Sequence, residues 1–297
     1  MANRILFSIP VHERPDIIRD QAINILKFCP SSVVVMHLSK GVNNDDDLAL
    51  FKKAIEGLDG VILNADEGNR VDTGDGHSGI FQAHYANYLL AEKLGIDYST
   101  ICLLSSNELL IKSGLEDYTA KHHIGCQTVL SDPTSNWHLF NRDLLSRLQS
   151  VGFLDDLEIS QFYFGGQAEG QFYRKDIFKK IATIFRNFFP RSRPAGFETE
   201  EVIPPTIVAN LTVDGGKEMM PVPPITLCDY CHDQSITPKL IEKIRSGWGV
   251  IYAPKKNGML VLVSPHIGWP SFQTIFSVKR VPREECEIRS FIRSLAP

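Results

Sequence analysis

The stretch 102–112 is the first place where this chain shows residue types suited to chemistry. An apolar run, 102–104, ends in two serines, and one carboxylate, Glu108, follows with a cation, Lys112, close behind. Ligands of α/β proteins bind outside the carboxyl ends of the strands. We therefore expect Glu108 at the rim of a sheet, where it accepts hydrogen bonds from the hydroxyl groups of a small polar molecule. Pairing with Lys112 is the alternative, and the two interpretations are compatible.

A second candidate is the C-x-x-C-H pattern formed by Cys228, Cys231 and His232. This spacing is typical of covalent haem attachment, and the two thiols could instead bind zinc together with a histidine. The sequence shows no signal-peptide pattern of the kind that exported haem proteins carry, and no second ligand pair at the spacing of structural zinc sites. We expect neither group, and a zinc-binding protein built around Cys228 and Cys231 is kept as an alternative.

Strand and helix patterns alternate through the first half of the chain and would position such residues. Predicted strands cover 5–9, 32–37, 61–64 and 99–104, and predicted helices cover 15–28, 46–58 and 80–94. A glycine-rich polar loop, 66–79, precedes the last of these helices. Repeated β-α-β units predict an α/β fold with a mainly parallel sheet and helices on both faces.

The second half of the chain is less regular. The expected elements are helices at 142–151, 175–189, 199–211 and 237–245, a strand at 274–279 and a helix from Glu284. Two apolar runs, 249–253 and 259–263, flank the sequence Lys-Lys-Asn-Gly at 255–258. Asn-Gly between apolar runs predicts a hairpin turn, with both lysines at its tip. No linker or repeat divides the chain, so we expect one domain over 1–297.

Composition and charge limit the partners that this chain can have. It has 297 residues, of which 43% are hydrophobic and 22% charged, and its formal net charge is -4. No overall positive field would attract nucleic acid. The first apolar run is too short for a transmembrane segment and is broken by Pro10 and His12. We expect a cytoplasmic protein with reduced cysteines, and peripheral association with a membrane stays open.

Several short segments stand in the order of the motifs of one glycosyltransferase family. They are VVMHLSK at 34–40, FQA at 81–83, LSSNELLIKSGLE at 104–116, GQF at 170–172, EEVIPPT at 200–206 and IYAPKK at 251–256, with FSVKR at 276–280 as a competing match to the last. On these segments the chain resembles the core-2/I-branching N-acetylglucosaminyltransferase family. The resemblance implies a GT-A-like (Rossmann-like) fold with an elaborated C-terminal region. It also implies a nucleotide-binding half over 1–130 and an acceptor- and diphosphate-binding half over 131–297.

The resemblance further implies an inverting transferase that needs no divalent metal. In one displacement, a base removes the proton of an acceptor hydroxyl while a nucleoside diphosphate leaves the anomeric carbon. Glu201 is the candidate base and Glu200 its substitute, although acids are also common in the first turn of a helix. Fixed cations would stabilise the leaving diphosphate. The candidates are Lys255, Lys256, Lys279 and Arg280, for which a hairpin tip and the polar end of a strand are the structural alternatives.

The remaining candidate contacts belong to the two substrates. The nucleotide-sugar donor, with UDP as the expected nucleotide, would contact His12, His37, Ser39 and Glu108, and the saccharide acceptor would contact Gly170, Gln171 and Trp137. No metal ligand and no cofactor other than the co-substrate is expected. Ser39 stands where the family has an aspartate that faces the nucleotide. A catalytically inactive relative that binds saccharide or nucleotide is therefore the main alternative to an enzyme.

Overall fold

The computed structural model describes residues 3–42, 45–73, 79–130, 146, 148–150, 152, 164–189, 199–215, 220–228, 235–247, 255–256, 259–260 and 271–297. The helices of this part are α1 (Pro15–Phe28), α2 (Asp45–Ile55), α3 (Gly79–Lys93), α4 (Leu115–Lys121), α5 (Lys175–Phe188), α6 (Thr199–Gly215), α7 (Pro238–Ser246) and α8 (Glu287–Ser294). The strands of the main sheet are β1 (Ile5–Val11), β2 (Val33–Leu38), β3 (Val61–Asn64), β4 (Thr100–Leu103), β6 (Ile124–Gly125) and β9 (Gln171–Arg174). The shorter strands are β5 (Glu108–Leu110), β7 (Val129–Leu130), β8 (Phe164–Gly165), β10 (Thr226–Leu227), β11 (Lys255–Lys256), β12 (Met259–Leu260) and β13 (Ser277–Lys279).

The main sheet has the strand order β3-β2-β1-β4-β9-β6. Its first four strands are parallel, and β9 runs antiparallel to both of its neighbours. Every residue of β1 and β2 is buried, as expected for parallel strands that are covered on both faces. The predicted fold class, an α/β protein with a mainly parallel sheet, is confirmed.

Alternate residues of the strands pack against helices on opposite faces of the sheet. Leu6, Val35 and Ile101 lie in one apolar cluster, which includes side chains of α3, α5 and α6. Phe7 and Cys102, one position further along their strands, lie in the other cluster with α1 and α2. This division follows from the period of two along a strand, and it confirms the prediction of helices on both faces.

A smaller sheet with the order β10-β13-β5 stands at the carboxyl side of β4. Its strand β13 pairs antiparallel with β5 and parallel with β10. Apolar side chains of β5 and β13 form a third cluster with α7 and α8, which includes Leu109, Val278, Ile241 and Ile292. The main sheet therefore ends against a second layer that brings 225–228 and 276–281 to the end of β4.

The buried arginine Arg289 fixes this second layer to the first. It is 1% exposed, and it pairs with Asp20 of α1. It also donates to Asn107 Oδ1 at 2.6 Å and to the carbonyl oxygen of Pro282 at 3.0 Å. Since these groups belong to α1, the β4–β5 turn and the segment before α8, one guanidinium holds three elements in register.

The strand predicted at 99–104 is confirmed as β4, and Glu108 begins a strand of the second sheet. One prediction about local structure is wrong. Lys255 and Lys256 form β11, paired antiparallel with β12, and are not at the hairpin tip. The apolar run predicted at 249–253 lies outside the described residues.

Candidate functional site

Polar side chains from both sheets meet at the carboxyl ends of β1 and β4. His12 directly follows β1, and Ser106 follows β4 and places its Oγ 3.1 Å from His12 Nε2. Glu108 and Lys279 are opposite each other in the pairing of β5 with β13. Glu169 reaches the same place from the loop before β9 and forms an ion pair with Lys279. We call these five residues the rim cluster.

Glu108 is enclosed within this cluster. Its Oε2 accepts hydrogen bonds from the backbone N–H of Ser105 at 3.0 Å and from Ser105 Oγ at 3.1 Å. Its Oε1 accepts hydrogen bonds from Thr226 Oγ1 and, at 2.9 Å, from Ser277 Oγ. Burial is the main cause that raises the pKa of Glu108 to about 7; the charge of Glu169 acts in the same direction, while the hydrogen bonds from Thr226 and Ser105 and the charge of Lys279 oppose the increase. Glu108 therefore lies at the end of the sheet, as expected, but its side chain is 0% exposed and its carboxylate is enclosed by protein groups in this structure.

The alternative interpretation, a pairing of Glu108 with Lys112, is wrong. Lys112 Nζ donates to the carbonyl oxygens of Phe272 at 2.7 Å and Gln273 at 2.9 Å, and it lies 4.3 Å from the ring centroid of Phe276. Burial lowers the pKa of Lys112 to about 8. Lys112 therefore serves to attach the segment 272–276 to the end of β5.

The ion pair between Glu169 and Lys279 lies at the solvent boundary of the rim cluster. Their side chains are 11% and 22% exposed. Burial opposes both charges, but the attraction between them outweighs it, so the pKa of Glu169 is lowered and that of Lys279 is raised. The thiol of Cys228 lies 3.6 Å from Glu169 Oε2 and donates to it. Sequence reasoning missed Glu169; its signal was a single acid in a glycine-rich turn, at 165–170.

His12 is the exposed member of the rim cluster. Its pKa is lowered, mainly because the surrounding protein removes part of the hydration of the ring. The positive charges of Lys279 and Arg283 lower the pKa as well, whereas the negative charge of Glu13 raises it. A neutral imidazole can both donate and accept a hydrogen bond. The position of His12 therefore suits a polar ligand at the carboxyl end of β1.

Two residues with left-handed backbone lie next to each other at the edge of the rim cluster. Asn107 has φ 60° and Arg280 has φ 66°, and they immediately adjoin the paired residues Glu108 and Lys279. Asn107 Nδ2 donates to the carbonyl oxygen of Val281 at 2.7 Å. Asparagine tolerates this conformation, whereas arginine adopts it at a cost that the surrounding structure must offset. The Arg280 side chain is exposed.

The candidate bases Glu200 and Glu201 occupy the first turn of α6. The carbonyl oxygen of Glu201 accepts from the backbone N–H of Gly166 at 2.9 Å, and that of Glu200 accepts from Gln171 Nε2 at 3.3 Å. These hydrogen bonds bring the helix start to both ends of the loop that carries Glu169. The Glu200 side chain is buried and that of Glu201 is half-buried.

His37 and Ser39, two of the predicted donor contacts, are buried and hold a neighbouring loop. His37 Nε2 accepts a hydrogen bond from the backbone N–H of Val71 at 3.0 Å. Ser39 Oγ accepts one from the backbone N–H of Thr73 at 3.0 Å. Both residues lie at the carboxyl end of β2, as the sequence predicted, but each fixes the loop after β3 instead of facing solvent.

Gly170 and Gln171, the predicted acceptor contacts, have structural functions here. Gly170 has φ +76°, and a Cβ at this position would lie 2.2 Å from Thr226 Oγ1. Gln171 is 0% exposed; its Nε2 donates to the carbonyl oxygen of Gln167, and its Oε1 accepts from Tyr173 at 2.7 Å. Neither residue is open to a saccharide in this structure.

The remaining predictions fall outside what the structure describes. Trp137, Cys231 and His232 are not among the described residues, and neither are the side chains of Lys255 and Lys256. Within the described residues, no group of three or more histidine, cysteine, aspartate or glutamate side chains is arranged to hold a metal ion. Over the same residues, no helix has the length and apolar character needed to span a bilayer.

No protein-family model matches this chain, and a search of curated proteins finds no match either. Among solved structures, a nucleoside-diphosphate-sugar pyrophosphorylase from Vibrio cholerae RC9 is similar with a TM-score of 0.39 and 11% identity, over 71% of this chain and 88% of that one. The galactosyltransferase LgtC, in complex with donor and acceptor sugar analogs, is similar with a TM-score of 0.40 and 11% identity, over 99% of this chain and 95% of that one. Both scores are too low to carry an argument about function.

Proposed function

We propose that this protein is an inverting glycosyltransferase that moves a sugar from a nucleotide-sugar donor, expected to be UDP-linked, to a saccharide acceptor. The observation that carries the proposal is the position of Lys279. This cation, which the sequence resemblance associates with the diphosphate, lies beside two carboxylates and His12 at the carboxyl ends of parallel strands. Such ends are where α/β proteins bind their ligands.

In the proposed reaction, the acceptor hydroxyl loses its proton to Glu201 as its oxygen forms a bond to the anomeric carbon. The bond from that carbon to the diphosphate breaks in the same step, and its electron pair stays on the departing phosphate oxygen. Lys279 and Arg280 stabilise this developing charge in place of a divalent metal. The proposal is supported by the attachment of the first turn of α6, which carries Glu201, to the loop that carries Glu169.

The second candidate is a non-catalytic relative that binds a nucleotide or saccharide. It is favoured by the complete enclosure of Glu108 and by the structural hydrogen bonds of Gln171 and His37. A zinc-binding protein built around Cys228 and Cys231 remains a third possibility. Cys228 is buried and donates to Glu169.

Ligand-induced stabilisation tests the donor site. Binding to the folded state alone raises the melting temperature by mass action, so UDP should raise it, and the shift should persist in a chelator. A shift that required manganese would contradict the metal-free mechanism. The absence of a shift with every nucleoside diphosphate would contradict the donor class, and zinc in the purified protein would favour the third possibility.

Donor hydrolysis and transfer test the base. The Glu201→Gln variant should lose most of the turnover of a UDP-sugar, while retaining the UDP-induced shift. The matched control is Glu56→Gln, an exposed glutamate after α2, at the opposite edge of the sheet. Equal turnover in the wild type and Glu201→Gln would remove Glu201 as the base. No turnover by the wild type with any donor would favour the binding protein.

A further inference from the structure

The cation best placed to receive an anionic ligand is already neutralised by a protein carboxylate. Lys279 ends β13, and Glu169 lies in the loop before β9, 110 residues earlier in the chain. Both side chains are partly open to solvent. An exchange of partners at Lys279 therefore needs no opening of the apolar core.

Glu169 differs from Glu108, the other carboxylate of the rim cluster, in its backbone setting and its exposure. Glu108 is 0% exposed, belongs to strand β5 opposite Lys279, and accepts hydrogen bonds from a backbone N–H and three hydroxyl groups. Glu169 lies in the loop before β9, and its side chain is 11% exposed. If one of these carboxylates leaves Lys279, the structure favours Glu169.

A nucleoside diphosphate and Glu169 would compete for the same ammonium group. The phosphoryl oxygens resemble a carboxylate as acceptors for lysine, but the diphosphate carries more charge. Once bound, the diphosphate would repel a carboxylate that stayed beside it, and two like charges at a few ångströms interact strongly in a partly buried site. Binding therefore requires Glu169 to turn away.

We infer that Glu169 is a built-in competitor for the anion site, occupying Lys279 in the free protein and being displaced by the diphosphate of the donor. The inference rests on the proposed function for the identity of the ligand. It makes Glu169 a residue that sets donor affinity and keeps Lys279 neutralised while the site is empty. It assigns Glu169 no part in proton transfer.

Calorimetric titration with inorganic pyrophosphate and with UDP tests the inference in the 297-residue protein. In Glu169→Gln the competing charge is removed with little change in volume, so both ligands should bind at least about tenfold more tightly than to the wild type. In Lys279→Gln binding should be lost. Glu56→Gln has the same change in net charge at a remote exposed position, and it should leave both affinities unchanged.

A second variant keeps the test valid if Glu169→Gln folds poorly. Glu169→Asp keeps the charge but shortens the side chain, so it should compete less well and give an intermediate affinity. The gain in affinity should also shrink as salt is added, because screening weakens the repulsion that is being removed.

The possible results distinguish the failure of the competitor inference from the failure of the anion site or of the proposed function. If UDP binds to the wild type through Lys279 but Glu169→Gln binds equally or more weakly, Glu169 is not a competitor, and the proposed function stands. Weaker binding would indicate that Glu169 contacts the ligand. If Glu169→Gln gains affinity for pyrophosphate but no protein transfers a sugar, the anion site stands and the transferase fails. If neither the wild type nor Glu169→Gln binds either ligand, the anion site is wrong.

Discussion

Glu108 and Lys279 are directly opposite each other in the antiparallel pairing of β5 with β13, yet the ion pair of Lys279 is with Glu169. Opposite residues of such a pair are close neighbours, and the charge of each affects the pKa of the other. The hydroxyl groups around Glu108 explain the difference, because they satisfy its oxygens without a cation. Two carboxylates beside one lysine thus have their pKa values moved in opposite directions, an arrangement that is frequent in functional sites.

The raised pKa of Glu108 predicts how the stability of the protein depends on pH. The folded-state pKa of about 7 exceeds the ordinary value of 4.5, so the folded state binds this proton more tightly. Below pH 4.5 both states carry it. As the pH rises from 4.5 to 7, the unfolded state loses its proton first, and the contribution of Glu108 to the unfolding free energy falls by an amount on the order of 3 kcal/mol.

The Glu108→Gln variant should lack this part of the pH dependence. A glutamine amide can accept from Ser105 and donate to the hydroxyl oxygens of Thr226 and Ser277, so its hydrogen bonds stay satisfied. Urea unfolding across pH 4.5 to 8 should show that the unfolding free energy of the variant increases relative to that of the wild type as the pH rises. The control variant Glu56→Gln should show the same pH dependence as the wild type. A constant difference between the Glu108→Gln and wild-type curves would contradict the shifted pKa.

The left-handed backbone of Arg280 predicts that replacing this residue by glycine or by alanine gives different stabilities but weakens UDP binding in both cases. In Arg280→Gly the steric cost of φ 66° disappears, whereas in Arg280→Ala it remains. Both variants lose the guanidinium group. The glycine variant should therefore be about 1 kcal/mol more stable than the alanine variant, and both should bind UDP more weakly than the wild type. Urea denaturation and calorimetry measure the two effects. Equal stability of the two variants would show that the backbone is not strained there.

The close approach of Gly170 to Thr226 predicts a large cost for one methyl group. In Gly170→Ala the new Cβ would lie 2.6 Å from the backbone nitrogen of Thr226, and the strand β10 would have to move. Gly95→Ala is the matched control, because Gly95 has φ +64° but open space around it. Both variants suffer the left-handed penalty of about 1–2 kcal/mol. Gly170→Ala should lose about 1–3 kcal/mol more from overpacking; equal losses in denaturant titrations would contradict this contact.

The burial of Arg289 predicts that it stabilises the protein far more than its neighbour Arg293. In Arg289→Met, Asp20 loses a buried partner and Asn107 loses a donor. Removing one member of a buried pair costs about 3–5 kcal/mol. Arg293 also pairs with Asp20 but is 43% exposed, so Arg293→Met should cost about 1 kcal/mol or less. Similar losses in thermal or urea unfolding would show that the buried guanidinium has no special role.

Local patterns in the sequence were sufficient to predict the parallel strands β1 to β4 of the main sheet and the helices between them, whereas β6 and β9 were not predicted. The helix at 15–28 and the strand at 61–64 have the predicted bounds, because apolar spacing, Pro15 and the turn glycines act over a few residues. The same patterns predicted a parallel sheet, since short β-α-β connections allow little else. They also placed His12 and the end of β4 at a common edge.

Only the tertiary structure decided which charges meet at that edge. The register of β5 with β13 sets Glu108 against Lys279, and the pairing of β4 with β9 brings Glu169, which lies just before β9, to the same lysine. The enclosure of Glu108 by Thr226 and Ser277 likewise depends on residues more than a hundred positions away. A sequence shows that these residues are charged or polar; their ion pairs, burial and pKa values depend on distances that exist only after the two sheets have packed together.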